Sequence, residues 1–170
     1  MPKLFALIVA AMLLTGCGSL PFTPTEYPLR AGLIPELPIA GTVAVSNAQP
    51  AVEPMVIYRY MGQRIEASPK ALTEVMVQQT QTELKKNGKP TGASGEKTLQ
   101  LRIDSLLSEY TYAFFWRSKV HFQATLGDGQ VIDLTVPHAS GSVQQDLNGC
   151  IAEGVMVLLK DPRVRDYLSQ

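Results

Sequence analysis

Leu99-Gln100-Leu101-Arg102-Ile103-Asp104 alternates apolar and polar side chains without a break, the pattern of a β-strand with one buried and one wet face. The same pattern returns downstream, where Trp116, Val120, Phe122, Ala124 and Leu126 interleave with Arg117, Lys119, His121, Gln123 and Thr125. Gly127-Asp128-Gly129 then supplies turn chemistry, and Ile132, Leu134 and Val136 form a third inward row. Three such strands in succession predict an antiparallel meander.

A sheet with one apolar face needs a cover. Ser142 or a neighbour caps a helix that carries Val143, Leu147, Cys150, Ile151, Val155 and Leu158 on one side; Asp161-Pro162 interrupts it, and Arg163 to Leu168 adds a short helical piece. Upstream, Ser68-Pro69 reads as an N-cap followed by proline at the first helical position. That helix is expected to reach about Lys86, with Leu72, Val75, Met76 and Leu84 as its apolar stripe. Gln78, Gln79, Gln81, Lys85 and Lys86 form its wet side, and Asn87-Gly88 its left-handed cap. Val43 and Val45 after Gly41 suit a first strand, and Met55–Tyr60 and Gln63–Glu66 a hairpin across Met61-Gly62. The predicted fold is α+β: an antiparallel sheet with two helices packed on one face, in the order strand, hairpin, helix, three-strand meander, helix.

The N-terminus has a different character. Lys3 gives a positive start, Leu4 to Leu14 an uncharged run too short to span a bilayer, and Leu14-Thr15-Gly16-Cys17 closes it. This order resembles a bacterial lipoprotein signal peptide. The resemblance implies cleavage before Cys17, a diacylglycerol thioether on its sulfur and an acyl chain on the new amino terminus. At ~0.8 kcal/mol per buried methylene, two or three chains anchor a domain almost permanently. Residues 1–16 are therefore read as the signal peptide and 17–40 as the lipidated cysteine and a tether. Residues 41–170 are read as a single α+β periplasmic domain. The tether carries Pro21, Pro24, Pro28, Pro35 and Pro38; Leu29, Leu33, Ile34, Leu37 and Ile39 allow its second half to dock on the domain. Gly18 and Ser19, with no Asp after Cys17, resemble lipoproteins carried past the inner membrane. This implies an outer-membrane, periplasm-facing location, with the inner membrane as alternative.

Several segments together, the lipobox first among them, resemble the YajG family of small bacterial outer-membrane lipoproteins. They are Leu14-Thr15-Gly16-Cys17, Gly62-Gln63-Arg64-Ile65, Glu83-Leu84-Lys85-Lys86-Asn87-Gly88, Leu99-Gln100-Leu101-Arg102-Ile103 and the ending Asp161 to Leu168. The stretch Tyr110 to Trp116 has no place in that family's pattern. Val56-Ile57-Tyr58-Arg59-Tyr60 looks like the auxiliary lipoproteins of ABC-type lipid transport systems, although a tryptophan-rich opening to the helix is missing.

Charge and motifs narrow the function. The 15 basic and 15 acidic residues leave the processed chain about one charge negative, with no basic footprint for nucleic acid. With Cys17 acylated, Cys150 has no disulfide partner and reads as a buried small hydrophobe. Gly92-Ala93-Ser94-Gly95-Glu96-Lys97-Thr98 leads from a helix into a strand, the reverse of a phosphate loop. His121 and His138 lack ligand spacing, so no metal and no cofactor are expected. Ser140 and Ser142 lie near His138 without a nucleophile elbow, and Asp146 and Glu153 share a helix face as solvated charges do. The chain is expected not to be an enzyme. Tyr110, Tyr112, Phe114, Phe115 and Trp116 fall within seven residues, and adjacent Phe115 and Trp116 cannot both face one side of a regular strand. Exposure, a β-bulge or packing on the sheet's second face would each resolve this, and exposure would make the stretch a partner surface. The expected function is a lipid-anchored, non-catalytic binding or adaptor module with an envelope protein or lipid partner. The alternative is an accessory lipoprotein of a lipid or lipopolysaccharide transport system.

Overall fold

The strand that carries Leu99 extends beyond its legible alternation at both ends, from Glu96 to Thr111. A register shift between Ile103 and Ser105 leaves Asp104 without a partner on the next strand. Inward-facing positions change from odd numbers (Leu99, Leu101, Ile103) to even ones (Leu106, Ser108) as the bulge requires.

A computed structural model describes residues 18–92, 95–111 and 114–170. In chain order, β1 (Ser19–Pro21), β2 (Leu37–Ile39), β3 (Thr42–Asn47), β4 (Met55–Tyr60) and β5 (Gln63–Ala67) precede helix α1 (Pro69–Asn87). Then come β6 (Gly88–Pro90), β7 (Glu96–Thr111), β8 (Phe115–Leu126) and β9 (Val131–Ser140), followed by helices α2 (Val143–Lys160) and α3 (Pro162–Ser169). The fold is α+β, and β7, β8 and β9 make the antiparallel meander, with Leu101 opposite Ala124 and Phe122 opposite Leu134.

The sheet as a whole is seven-stranded and mixed, which corrects the wholly antiparallel expectation. The free edge of β7 takes two short partners in succession, both parallel: β3 from Thr42↔Glu96 to Asn47↔Leu101, and β4 at Tyr58↔Ser108. Parallel pairing needs a long crossover, and α1 supplies it between β5 and β7. β5 returns antiparallel to β4, and β1 adds to β5 in parallel.

Ser68 caps α1 by accepting from the Ala71 N–H at 3.3 Å, and Ser142 caps α2 by accepting from Gln145 N–H at the same distance. Both helices lie over the buried sheet face, where Leu72 and Met76 of α1 and Leu147, Ile151 and Val155 of α2 join Leu101, Ile103, Phe122 and Ile132 in one core. Gly88 is not the left-handed cap expected: its backbone is extended, at φ −71°. Glycine is needed there for space, since a Cβ would lie 2.5 Å from the backbone carbonyl oxygen of Leu84.

Residues 18–40 depart most from expectation, because the segment is docked along its length rather than free. The Phe22 N–H donates to Glu66 O at 2.8 Å, the Thr25 N–H to Asn148 Oδ1 at 3.1 Å and the Tyr27 N–H to Gln79 Oε1 at 2.9 Å. Lys86 Nζ donates to Leu29 O at 2.9 Å, β2 pairs with β6, and the Ala40 N–H donates to Leu168 O at 2.8 Å. Ile34 and Leu37 are buried in the main core. A proline-rich strand has no internal ladder to satisfy its peptide groups, and here side chains of α1 and α2 together with the backbones of β5, β6 and α3 satisfy many of them. Gln79, which is expected to be wet, is a buried polar residue of α1 and donates to buried Glu83 Oε1 at 3.3 Å.

Candidate functional site: the aromatic end of the sheet

Strand register brings three separate chain segments to one end of the sheet. Tyr60 faces Gln63 across the β4–β5 turn, Thr111 faces Phe115 across the β7–β8 turn, and Ser19 at the start of β1 is level with Arg64 at the start of β5. Because β4 runs parallel to β7, Tyr60 stands beside Tyr110 with ring centroids 5.0 Å apart. Tyr110 meets Trp116 edge-on at 5.2 Å, and the Trp116 indole N–H donates to the Tyr58 hydroxyl at 3.2 Å. Such tilted contacts suit the ring quadrupoles.

The adjacency of Phe115 and Trp116 is resolved by exposure. β8 pairs regularly at both positions, so the two side chains take opposite faces. Trp116 shares the side of buried Ser118 and Val120, whereas Phe115 is 53% exposed and Phe114, in the turn, 78%. Tyr112 lies outside the described residues, as do Leu14, Thr15, Gly16 and Cys17.

Sequence reasoning missed Met61, which is 86% exposed at the tip of the neighbouring hairpin, and Tyr60 beside it. Met61 (φ 47°) and Phe114 (φ 63°) are the non-glycine residues with positive φ among the described residues. A left-handed backbone costs roughly 1–2 kcal/mol for a residue with a Cβ, and glycine or asparagine takes it far more readily. Both turns thus hold a large apolar side chain in water on a backbone that disfavours it. The available signal was Met61-Gly62 itself, a turn dipeptide with a bulky apolar first residue.

Arginines surround this end. Arg59 and Arg64 face each other directly across β4 and β5, a like-charge pair, and Arg117 stands opposite Glu109 across β7 and β8. All three are exposed and none forms a salt bridge within the described residues. A depression of about 620 Å³ opens between Tyr60, Tyr110, Thr111 and Arg117.

The remaining candidates are placed elsewhere. Ser142 caps α2, and Ser140 Oγ donates to Gln145 Oε1 at 3.4 Å; neither is hydrogen-bonded to His138. Asp146 is fully buried, accepts from Ser108 Oγ at 2.6 Å, and its carboxyl is pushed above the usual range by desolvation. No contact joins it to Glu153, which is partly exposed on the same helix. His121 lies on the open sheet face beside Asp133 at 2.8 Å. Glu96, Lys97 and Thr98 open β7, not a helix, while Ala93 and Ser94 fall outside the described residues. Cys150 is buried against Val136 O at 3.6 Å. No described helix is long and apolar enough to cross a membrane.

No family model and no curated protein matches the chain. Among solved structures it is similar to protein XCC0632 from Xanthomonas campestris, described as DUF330. The identity is 16% over 89% of this chain and 96% of that one, with a TM-score of 0.46. A second, described as an uncharacterized protein, is 13% identical over 85% and 99% of the two chains, with a TM-score of 0.38.

Proposed function

We propose that this protein is an envelope lipoprotein, anchored through Cys17 to the outer membrane and facing the periplasm, that acts by binding rather than catalysis. The observation that carries the binding role is the end of the sheet where Phe114, Phe115 and Met61 are exposed around the Tyr60–Tyr110–Trp116 cluster. Exposed apolar residues gathered from separate strands mark a contact surface. Anchoring is supported by the order of Lys3, the apolar run and Leu14-Thr15-Gly16-Cys17, and membership of a YajG-like lipoprotein family by that lipobox together with Gly62-Gln63-Arg64-Ile65, Glu83 to Gly88, Leu99 to Ile103 and Asp161 to Leu168. A role as accessory to lipid or lipopolysaccharide transport is favoured by one point: the residues at the two turn tips are apolar, not polar.

Fatty-acid labelling in cells tests the anchor. The natural chain should incorporate label and Cys17→Ser should not; normal labelling of that variant refutes the assignment. Photo-crosslinking from Phe115 in intact cells tests the surface. Adducts with an envelope protein or with lipid support the binding role, and a chain that yields no adduct there refutes it.

A further inference from the structure

The chain leaves the described domain at the end that carries Met61 and Phe114. Gly18 precedes Ser19, Ser19 is level with Arg64, and Arg64 lies two residues from Gly62 of the β4–β5 turn. At roughly 3.5 Å per extended residue, Cys17 lies within about 7 Å of Ser19. β1 is held to β5, and the Phe22 N–H to Glu66 O, so only Gly18 stands between an acylated Cys17 and a strand fixed beside the hairpin.

We propose that this end of the sheet is a bilayer-contact face: Met61 and Phe114 enter the headgroup region of the membrane that holds the Cys17 lipid, and Arg59, Arg64 and Arg117 meet its phosphates. The inference rests on the reading of Cys17 as acylated. Three observations support a bilayer as the occupant. The apolar tips sit on hairpin turns at one end of the sheet, Met61 86% and Phe114 78% exposed, which suits insertion among headgroups. Behind them stand Tyr60, Tyr110 and Trp116, amphipathic rings of the kind that settle at a membrane–water boundary. Finally, the like-charge pair Arg59–Arg64 is repulsive in isolation and gains from an anionic surface.

The chain's single tryptophan is a built-in probe of this geometry. Full-length protein extracted from membranes, its acylation verified by mass, is reconstituted in phosphatidylethanolamine–phosphatidylglycerol vesicles containing brominated lipid. Trp116 emission should fall about twofold or more, since an indole at the membrane boundary lies close to the acyl bromines. Asp128 in the turn at the far end of β8 provides the reference: Asp128→Trp in a Trp116→Phe chain should remain unquenched. The acylated double variant Met61→Asp, Phe114→Asp stays on the vesicles through its lipid but should lose the Trp116 quenching. Aspartate tolerates the left-handed turn backbone, and circular dichroism verifies the fold. A chain without acyl mass overturns the anchor reading and the contact face with it. An acylated chain whose Trp116 is quenched no more than the far-end probe overturns the contact face alone. Undiminished quenching in the double variant also overturns it, as does a protein adduct in place of lipid when the crosslinker is placed at Phe114 in cells.

Discussion

Leu37→Ala separates a docked segment from a free tether. Leu37 is 0% exposed and belongs to the same core as Leu101 and Phe122. Truncating a fully buried leucine loses its transfer free energy and leaves a cavity, together ~3–5 kcal/mol. A domain of this size is stable by ~5–15 kcal/mol, so the variant should still fold. At ~2–4 °C per kcal/mol, its melting midpoint should fall by about 6–20 °C. Leu33, four residues upstream and 40% exposed, is the internal control, and Leu33→Ala should stay within ~0.5 kcal/mol. Urea and thermal melts by circular dichroism read the global effect. Trypsin cleavage after exposed Arg30 reads local release of the segment. The reasoning fails if Leu37→Ala matches Leu33→Ala in both the melts and the rate of cleavage at Arg30.

Two further predictions concern buried groups. Burial pushes the Cys150 thiol up to about 12; against its ordinary value of 9.0, alkylation of the folded chain near neutral pH should be roughly a thousandfold slower than in urea. Cys150→Ala should cost only about 1–2 kcal/mol in a urea melt. Asp146 has its carboxyl raised, chiefly by desolvation and against the opposing hydrogen bond from Ser108, and its Oδ1 has no partner. Above the ordinary carboxylate range the folded state therefore keeps a proton that the unfolded chain has released. Stability should fall as pH rises through the window from 3.8 to the raised value. Asp146→Asn keeps an acceptor for Ser108 and should flatten that slope and raise stability at neutral pH; an unchanged pH profile in urea melts would count against it.

The meander was legible because Leu99, Phe122 and Ile132 lie in strands with one wet face, so period-2 alternation is written into them. Strand direction is not written there. Nothing in Val43 or Tyr58 distinguishes a parallel neighbour from an antiparallel one, and the two parallel joins to β7 follow from the crossover rather than from composition. The second half of β7 was hidden by Asp104, whose bulge places Leu106 inward and leaves adjacent Leu107 exposed, a pair that fits neither parity alone. The docked segment was read as a tether because prolines leave no period. Its partners, Gln79 and Asn148, are 52 and 123 residues away in sequence and touch its backbone through side chains. At the candidate site, Phe115-Trp116 announced itself by adjacency, whereas Met61 entered only once register had placed the β4–β5 turn beside the β7–β8 turn.

The bound course of residues 18–40 sets how far this protein can reach. Twenty-three residues paid out as loose chain would let a lipid-anchored domain roam a hemisphere tens of ångströms in radius, tumbling as it went. Laid instead along α1, α2 and β6, they leave only Gly18 between β1 and the proposed anchor at Cys17. On the proposed anchoring at Cys17, the end of the sheet that carries Met61 and Phe114 faces the membrane and the β8–β9 turn points away from it. β8, with 12 residues at about 3.3 Å each, puts about 40 Å between that end and the turn that carries Asp128. Under that proposal a partner that reads the far end of this molecule finds it at a set distance from the membrane, and one embedded in a membrane farther away must cover the remaining distance itself.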